Sequence, residues 1–379
     1  MNKPAKPSGE GRAWVGIDLD ALAYNATYIR SQLTGSCELM AVVKTDAYGH
    51  GAERVAERLW DVGVRSFAVA TVGEGVRLRE NGLDGEILVL NYTHPKDAAF
   101  LSDYRLTQLI IDGAHAKALN GTGQRIRAHI AIDTGMHREG IIMSNLTEIE
   151  SVFMCKNLAV DGVATHLASA DSLAGGDVEF TNMQIDRFYS TVDTLRDKGY
   201  DVGKIHIQAS YGMYNYPEIH SDYVRAGIGL YGVMSHDADT RVKPALQPVL
   251  SLRAVIAQTR WIGAGESVSY GRTFTTDRPL NLATICVGYA DGVPRQMSGN
   301  NGACIVHGRK VPIVGRICMD LLLADVTDVE DAAPGDVATI IGRDGDEEIR
   351  CEDVARASGT ITNEILCRLG SRLPRIYSG

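Results

Sequence analysis

The sequence predicts an α/β protein built from an N-terminal (β/α)8 barrel of the TIM type followed by a mainly-β C-terminal domain. From residue 38 to about 232, short apolar runs alternate with amphipathic, helix-like stretches. Eight strand–helix alternations within roughly 200–250 residues are what such a barrel requires. After about Pro248 the texture changes, and the remaining segments are β-rich and separated by Gly/Asp turns. A doubly wound sheet is the rival, but it uses fewer strands and a glycine-rich turn after the first. The stretch after the first apolar run here is not G-x-G-x-x-G.

In chain order the candidate barrel strands are 38–43, 66–70, 86–90, 107–111, 126–132, 159–164, 205–208 and 224–230. Helical periodicity lies between most of them, as at Ala52–Val62, Val72–Glu80, Asn145–Phe153 and Asp177–Lys198. The second domain offers Leu252–Ile262, Asn281–Val287, Ala303–Ile313 and Val337–Ile341, then one helix-like stretch, Cys351–Ser358. The division is a polar, linker-like 1–11, a barrel over 12–245 and a mainly-β domain over 246–379.

At 379 residues the chain is too long for one small core. A hydrophobic content of 45% and a charged content of 22% are those of an ordinary globular protein. The net charge of -9 argues against nucleic acid as a partner. Seven cysteines form no CxxC pair and no metal-ligand spacing, so we expect reduced thiols, no metal and a cytoplasmic setting. No apolar run approaches the roughly 20 residues of a membrane helix, and Met1 to Gly11 has no apolar signal region.

The most informative stretch is Ala41-Val42-Val43-Lys44-Thr45-Asp46-Ala47-Tyr48-Gly49-His50-Gly51. A lysine at the carboxyl end of a buried strand is desolvated, which lowers its pKa and makes it an amine nucleophile for a carbonyl. Barrel active sites form at the carboxyl ends of the strands. His166 in Thr165-His166-Leu167-Ala168 follows the sixth strand, and Ser210 in Ala209-Ser210-Tyr211-Gly212 follows the seventh. Glycines at 227 and 229, in the eighth, allow close backbone approach, so amides there can cradle a phosphate.

These segments closely resemble the alanine racemase family, with motifs in the expected order from about Trp14 to Tyr377. The resemblance implies pyridoxal phosphate attached at Lys44, with its phosphate held by Tyr48, Ser210, Gly227 and Ile228. It implies that Arg225 faces the pyridine nitrogen, supported by His206, with His166 beside it; a guanidinium gives up no proton near neutral pH. Inversion at carbon needs two acid/base groups on opposite faces. The family pattern assigns these to Lys44 and to Tyr270 in Ser267-Val268-Ser269-Tyr270-Gly271-Arg272, the latter from the partner of a head-to-tail homodimer. A free tyrosine titrates at about 10, so His166 and Arg225 are the cations expected to lower it. Arg138 would bind the substrate carboxylate, Met319 and Asp320 would line the substrate side, and Tyr289 would narrow the entrance.

Two departures stand out. Where many family members carry a carbamylated lysine that orients the carboxylate-binding arginine, this chain has Ala131, so another acid, a bound anion such as chloride, or water is expected to hold Arg138. Where the family has a tyrosine walling the pocket, this chain has Asn363, smaller and both donor and acceptor. A hydroxymethyl group then fits, which points to serine as well as alanine. The same departure resembles the racemase domain of membrane-anchored serine/alanine racemases of vancomycin-resistance operons. On that reading, residues 1–11 are the junction after a membrane domain and the D-amino acids enter peptidoglycan precursors. The alternatives are a strictly biosynthetic alanine racemase, a barrel-type decarboxylase of basic amino acids, and a non-catalytic cofactor carrier.

Overall fold

A computed structural model describes residues 11–236 and 239–379. The expected linker over 1–11 therefore lies almost wholly outside the described residues. Eight parallel strands form the barrel: Glu38–Val42, Ser66–Val69, Glu86–Val89, Thr107–Ile110, Ile126–Asp133, Leu158–Ala164, Lys204–His206 and Tyr223–Ala226. We number them first to eighth. Each pairs with its sequence neighbour through the seventh, and the eighth closes onto the first with Tyr223 opposite Glu38 and Ala226 opposite Ala41. The seventh and eighth form no continuous ladder among the described residues; a bridge between Ala209 and Arg225 and the backbone bonds Asp222 N to Ile205 O at 2.8 Å and Arg225 N to Gln208 O at 3.1 Å join their segments. The strand interiors are near-continuous apolar runs because both faces are covered, as in Phe67, Ala68 and Val69 or Ile87, Leu88 and Val89, all fully buried.

The expected eighth strand over 224–230 is shorter than its apolar run. It ends at Ala226, and Ile228–Tyr231 turns into a short 3-10 helix. The turn lets two amides, those of Gly227 and Gly229, face one hydroxyl, which a continued strand would not allow.

The C-terminal half forms a second sheet around the long strand Leu250–Ile262. The segment expected at Ala303–Ile313 is a hairpin, Ala303–Val306 and Arg309–Pro312, reversed at His307 and Gly308, both in the left-handed region. Among the elements that went unread in the sequence, two tie the chain into the second sheet. Ala13–Asp18 precedes the barrel yet pairs antiparallel with Leu250–Ile262, and Arg375–Ser378 runs parallel beside it. The first and last described strands are thereby tied into the second sheet. Among the described residues no helix is long and apolar enough to cross a membrane.

Candidate active site

A cavity of about 710 Å³ opens at the carboxyl ends of the barrel strands. Lys44, Tyr48, Arg138, His166, His206, Ser210, Arg225, Gly227, Ile228 and Asn363 all line it. The eight-strand arrangement brings these distant residues together.

Lys44 follows the first strand and leads into an unusual turn. Thr45, Asp46, Ala47 and Tyr48 have φ of 55°, 53°, 53° and 53°, so four consecutive non-glycine residues are left-handed. Such a conformation costs about 1–2 kcal/mol per residue, and it persists only where the surroundings dictate it. Here they do. Thr45 N donates to Glu74 Oε1 at 2.7 Å, and Ala52 N donates to Asp46 Oδ1 at 2.8 Å. His50 Nδ1 reaches the carbonyls of Ala47 and Tyr48 at 2.9 and 3.0 Å. From the C-terminal strand, Arg375 Nε donates to Gly49 O at 3.0 Å and Tyr377 Oη to His50 O at 3.1 Å. The second domain thus braces the lysine turn from outside the barrel.

Burial, followed by the nearby Arg138 cation, pushes the Lys44 ammonium below its ordinary pKa. That is the direction a nucleophilic or basic amine needs. Tyr48 is folded back by the turn and packs on Tyr231, ring centroids 5.0 Å apart. Burial raises its phenol well above the ordinary value, so it stays a hydrogen-bond donor. Opposite it, the amides of Gly227 and Gly229 point at Ser210 Oγ at 3.2 and 3.3 Å. A Cβ on Gly227 would stand 2.6 Å from Tyr48 Oη, so the space between phenol and backbone exists only because residue 227 is glycine. Amides, a hydroxyl and a phenol converge here without a carboxylate, a set of groups that could hold an anion.

Arg225, buried at the cavity floor, is held by five acceptors. It reaches His206 Nδ1 at 2.6 Å, His206 O at 3.0 Å, Thr165 O at 2.7 Å, Ile207 O at 3.2 Å and His166 Nδ1 at 3.3 Å. Burial and then Arg138 pull it down to about 10, which leaves it cationic at neutral pH. Burial and then the Arg225 cation lower His166 to about 3, so this imidazole is neutral. Arg138 sits on the rim in a loop fixed by Asp133, whose carboxylate accepts from Gly135 N, His137 N and His137 Nδ1 at 2.9, 3.0 and 2.8 Å. Burial pushes Asp133 up, but these hydrogen bonds outweigh it and hold the carboxyl below its usual range. Ala131 lines the same cavity and offers Arg138 no side-chain acceptor. Asn363 opens the helix Thr362–Cys367, and its Oδ1 is buried without a hydrogen-bond partner among the described residues.

Tyr270, Tyr289, Met319 and Asp320 do not line this cavity. They lie on the second domain, where Ser269 Oγ donates to Arg316 O at 2.6 Å and Tyr289 N to Cys318 O at 3.0 Å. Tyr270, Met319 and Tyr289 are 68%, 53% and 42% exposed. Asp320 faces Arg372, which donates to it at 2.7 Å. Sequence reasoning missed Tyr231, which binds Val42 O at 2.9 Å, and Gln184, which ties Thr134 to the His166 carbonyl at 3.2 and 3.1 Å. Both sit in stretches whose apolar pattern reads as core, so no local signal sets them apart.

The fold and cavity define a barrel protein whose strand ends carry a buried amine beside a carboxylate-free cluster of amides and hydroxyls. Family models for the alanine racemase N-terminal domain and C-terminal domain match residues 17–235 and 249–377. An amino-acid racemase of Enterococcus faecalis is 42% identical over 373 residues, covering 98% of this chain and 52% of that protein. An alanine racemase of Carboxydothermus hydrogenoformans is 38% identical over 96% of this chain and 99% of its own. A serine/alanine racemase of Enterococcus gallinarum is 39% identical, across 93% of this chain and 50% of that protein. The chain therefore spans about half the length of the Enterococcus relatives it matches. Among solved structures, the alanine racemase of Bartonella henselae with covalently bound pyridoxal phosphate superposes with a TM-score of 0.86. It is 30% identical, over 98% of this chain and 100% of that one. This chain belongs to the alanine racemase family.

Proposed function

We propose that the chain is a pyridoxal-phosphate-dependent amino-acid racemase acting on serine and alanine. The observation that carries this is one cavity holding a pKa-lowered lysine, a carboxylate-free cluster of amides, a hydroxyl and a phenol, and a buried arginine. That donor set fits the cofactor. Lys44 would hold its aldehyde carbon, Tyr48, Ser210, Gly227 and Ile228 its phosphate, and Arg225 its ring nitrogen. When bound, the cofactor supplies the electron sink that acidifies the substrate Cα–H bond.

The remaining work falls to side chains. Lys44 Nζ takes or returns the Cα proton on one face, and Tyr270 Oη of the partner subunit serves the other. Arg225, a cation with only N–H groups to offer, cannot relay a proton to the ring and so disfavours chemistry that needs a fully protonated one. Arg138 orients the substrate carboxylate, with an anion such as chloride standing where Ala131 removes an acceptor. The exposed Tyr270, Tyr289 and Met319 form an apolar surface suited to a second copy of the chain, so a head-to-tail homodimer completes the site. The domain boundary is placed near residue 245, and the cell compartment is cytoplasmic. The product would feed peptidoglycan precursors, on the alanine branch or the serine branch typical of vancomycin resistance.

Serine is included because the unpartnered Asn363 Oδ1 on the cavity wall can accept from a substrate hydroxyl, and the name of the Enterococcus gallinarum relative includes serine. Measuring kcat/KM for D-serine and D-alanine formation from the L-amino acids tests it. Comparable values, with the serine share falling in Asn363→Tyr, are expected. Alanine turnover alone would make this a biosynthetic alanine racemase, and an unchanged ratio in Asn363→Tyr would remove the pocket argument. Carbon dioxide release from ornithine, arginine or lysine would instead indicate a decarboxylase.

A further inference from the structure

Barrel interiors are ordinarily packed with branched apolar side chains. Below Arg225 this one carries a line of polar groups instead. Arg225 Nη1 meets His206 Nδ1 at 2.6 Å, and His206 Nε2 meets His129 Nδ1 at 2.8 Å. His129 Nε2 then faces Asp161 Oδ1 at 3.4 Å and Glu86 Oε1 at 3.6 Å. His129 Nε2, Asp161 Oδ1 and Glu86 Oε1 are all buried atoms without another hydrogen-bond partner among the described residues. They are left facing one another. The second oxygens of the carboxylates are engaged elsewhere, Asp161 Oδ2 by Arg127 at 2.7 Å and Glu86 Oε2 by Tyr223 at 2.9 Å.

Space for this line is built in. A Cβ on Gly162, the residue paired with His129 on the neighbouring strand, would come within 2.6 Å of the His129 ring. The glycine leaves room for an imidazole where an apolar core would place a methyl. Buried polar groups of this kind are costly unless each is satisfied.

The chemistry allows one arrangement of protons. A guanidinium only donates, so His206 Nδ1 must be a bare acceptor. His206 is neutral, because burial and then the Arg225 cation hold it well below its ordinary pKa. Its single proton is on Nε2 and is donated to His129 Nδ1. His129 then carries its own proton on Nε2, aimed at the carboxylates. A proton on either Nδ1 would set two donors against each other at 2.6 or 2.8 Å.

We infer that His129 is a positioning residue. By accepting from His206 and donating to the Asp161 and Glu86 carboxylates, it fixes the His206 tautomer that holds Arg225 in place under the cavity. Its effect on turnover rests on the racemase reading above; its effect on His206 does not.

Long-range proton–nitrogen correlation of the full chain labelled with 15N-histidine reads each tautomer directly, at pH 7 with and without added pyridoxal phosphate. His206 and His129 are both expected neutral with the proton on Nε2. In His129→Leu the buried His206 Nε2–H loses its acceptor, an unsatisfied donor whose cost competes with the Arg225 bond, so the Nδ1–H form of His206 should appear beside the native one. His129→Asn keeps an acceptor near the Nδ1 position and should restore the native His206 pattern. Under the racemase reading, kcat should fall about tenfold or more in His129→Leu, the scale on which outer hydrogen-bond partners act, with KM little changed and kcat recovered in His129→Asn. A protonated His206 Nδ1 in the native protein would overturn the inference without any variant. So would an unchanged His206 in His129→Leu, or no recovery of the tautomer in His129→Asn. A native protein that shows the expected tautomers but racemises nothing would support the relay and refute the racemase reading alone.

Discussion

Adding one methyl group at residue 227 tests whether the Tyr48–Gly227 gap is the anion cradle. In Gly227→Ala the new Cβ would lie 2.6 Å from Tyr48 Oη and 3.2 Å from its Cζ. The ring cannot swing aside freely, since it is buried and packed at a 37° tilt against Tyr231 at the end of the left-handed turn. Overpacking of this kind costs about 1–3 kcal/mol. Phenol and methyl compete for the volume that an anion would occupy, so the penalty should appear in cofactor binding. At 1.4 kcal/mol per decade this is a loss of affinity of roughly 5- to 150-fold. Gly229→Ala is the internal control. There the Cβ meets Ser210 Oγ and Cβ at 3.4 and 3.5 Å, ordinary contact distances. Residue 229 also lies in a helical turn, where alanine is favoured over glycine by about 0.5–1 kcal/mol. Titrating pyridoxal phosphate into cofactor-stripped protein and following its absorbance gives both affinities, and urea unfolding gives both stabilities. Equal affinities for the two variants, or a weaker Gly229→Ala, would refute the assignment of the cradle.

Other expectations follow from the same geometry. Thr45 is exposed and β-branched at φ 55°, so Thr45→Gly should stabilise the protein by about 1 kcal/mol in urea unfolding; a loss of that size would contradict the left-handed turn. Burial lowers His50 to about 4, below its unfolded value, so the unfolded state binds the extra proton as pH falls below about 6.5. Stability should therefore drop by about 2 kcal/mol between pH 6.5 and 5 from this group, and His50→Asn should flatten that slope even while lowering stability at pH 7. Mixing inactive Lys44→Ala and Tyr270→Phe subunits should regain racemase activity, because a shared site leaves one native pair in each mixed dimer. No regain after subunit exchange would place Tyr270 outside the partner's site.

Much of this protein is legible in the order of its residues. Strand-length apolar runs and helical periodicity are local signals, and they locate eight barrel strands to within a few residues. They also put Lys44, His166, Ser210 and Arg225 at strand ends, where a barrel gathers its chemistry. Tertiary structure alone decides what depends on partners far along the chain. Nothing in Thr45-Asp46-Ala47-Tyr48 predicts a left-handed turn, because its cost is met by Glu74 and by Arg375 and Tyr377 at the other end of the sequence. Ala13–Asp18 reads as the approach to a barrel and instead pairs with a strand more than two hundred residues later. His129 sits in an apolar strand and has no signal of its own. Its role arises only when barrel closure sets it between His206 and two carboxylates, Glu86 on the third strand and Asp161 on the sixth.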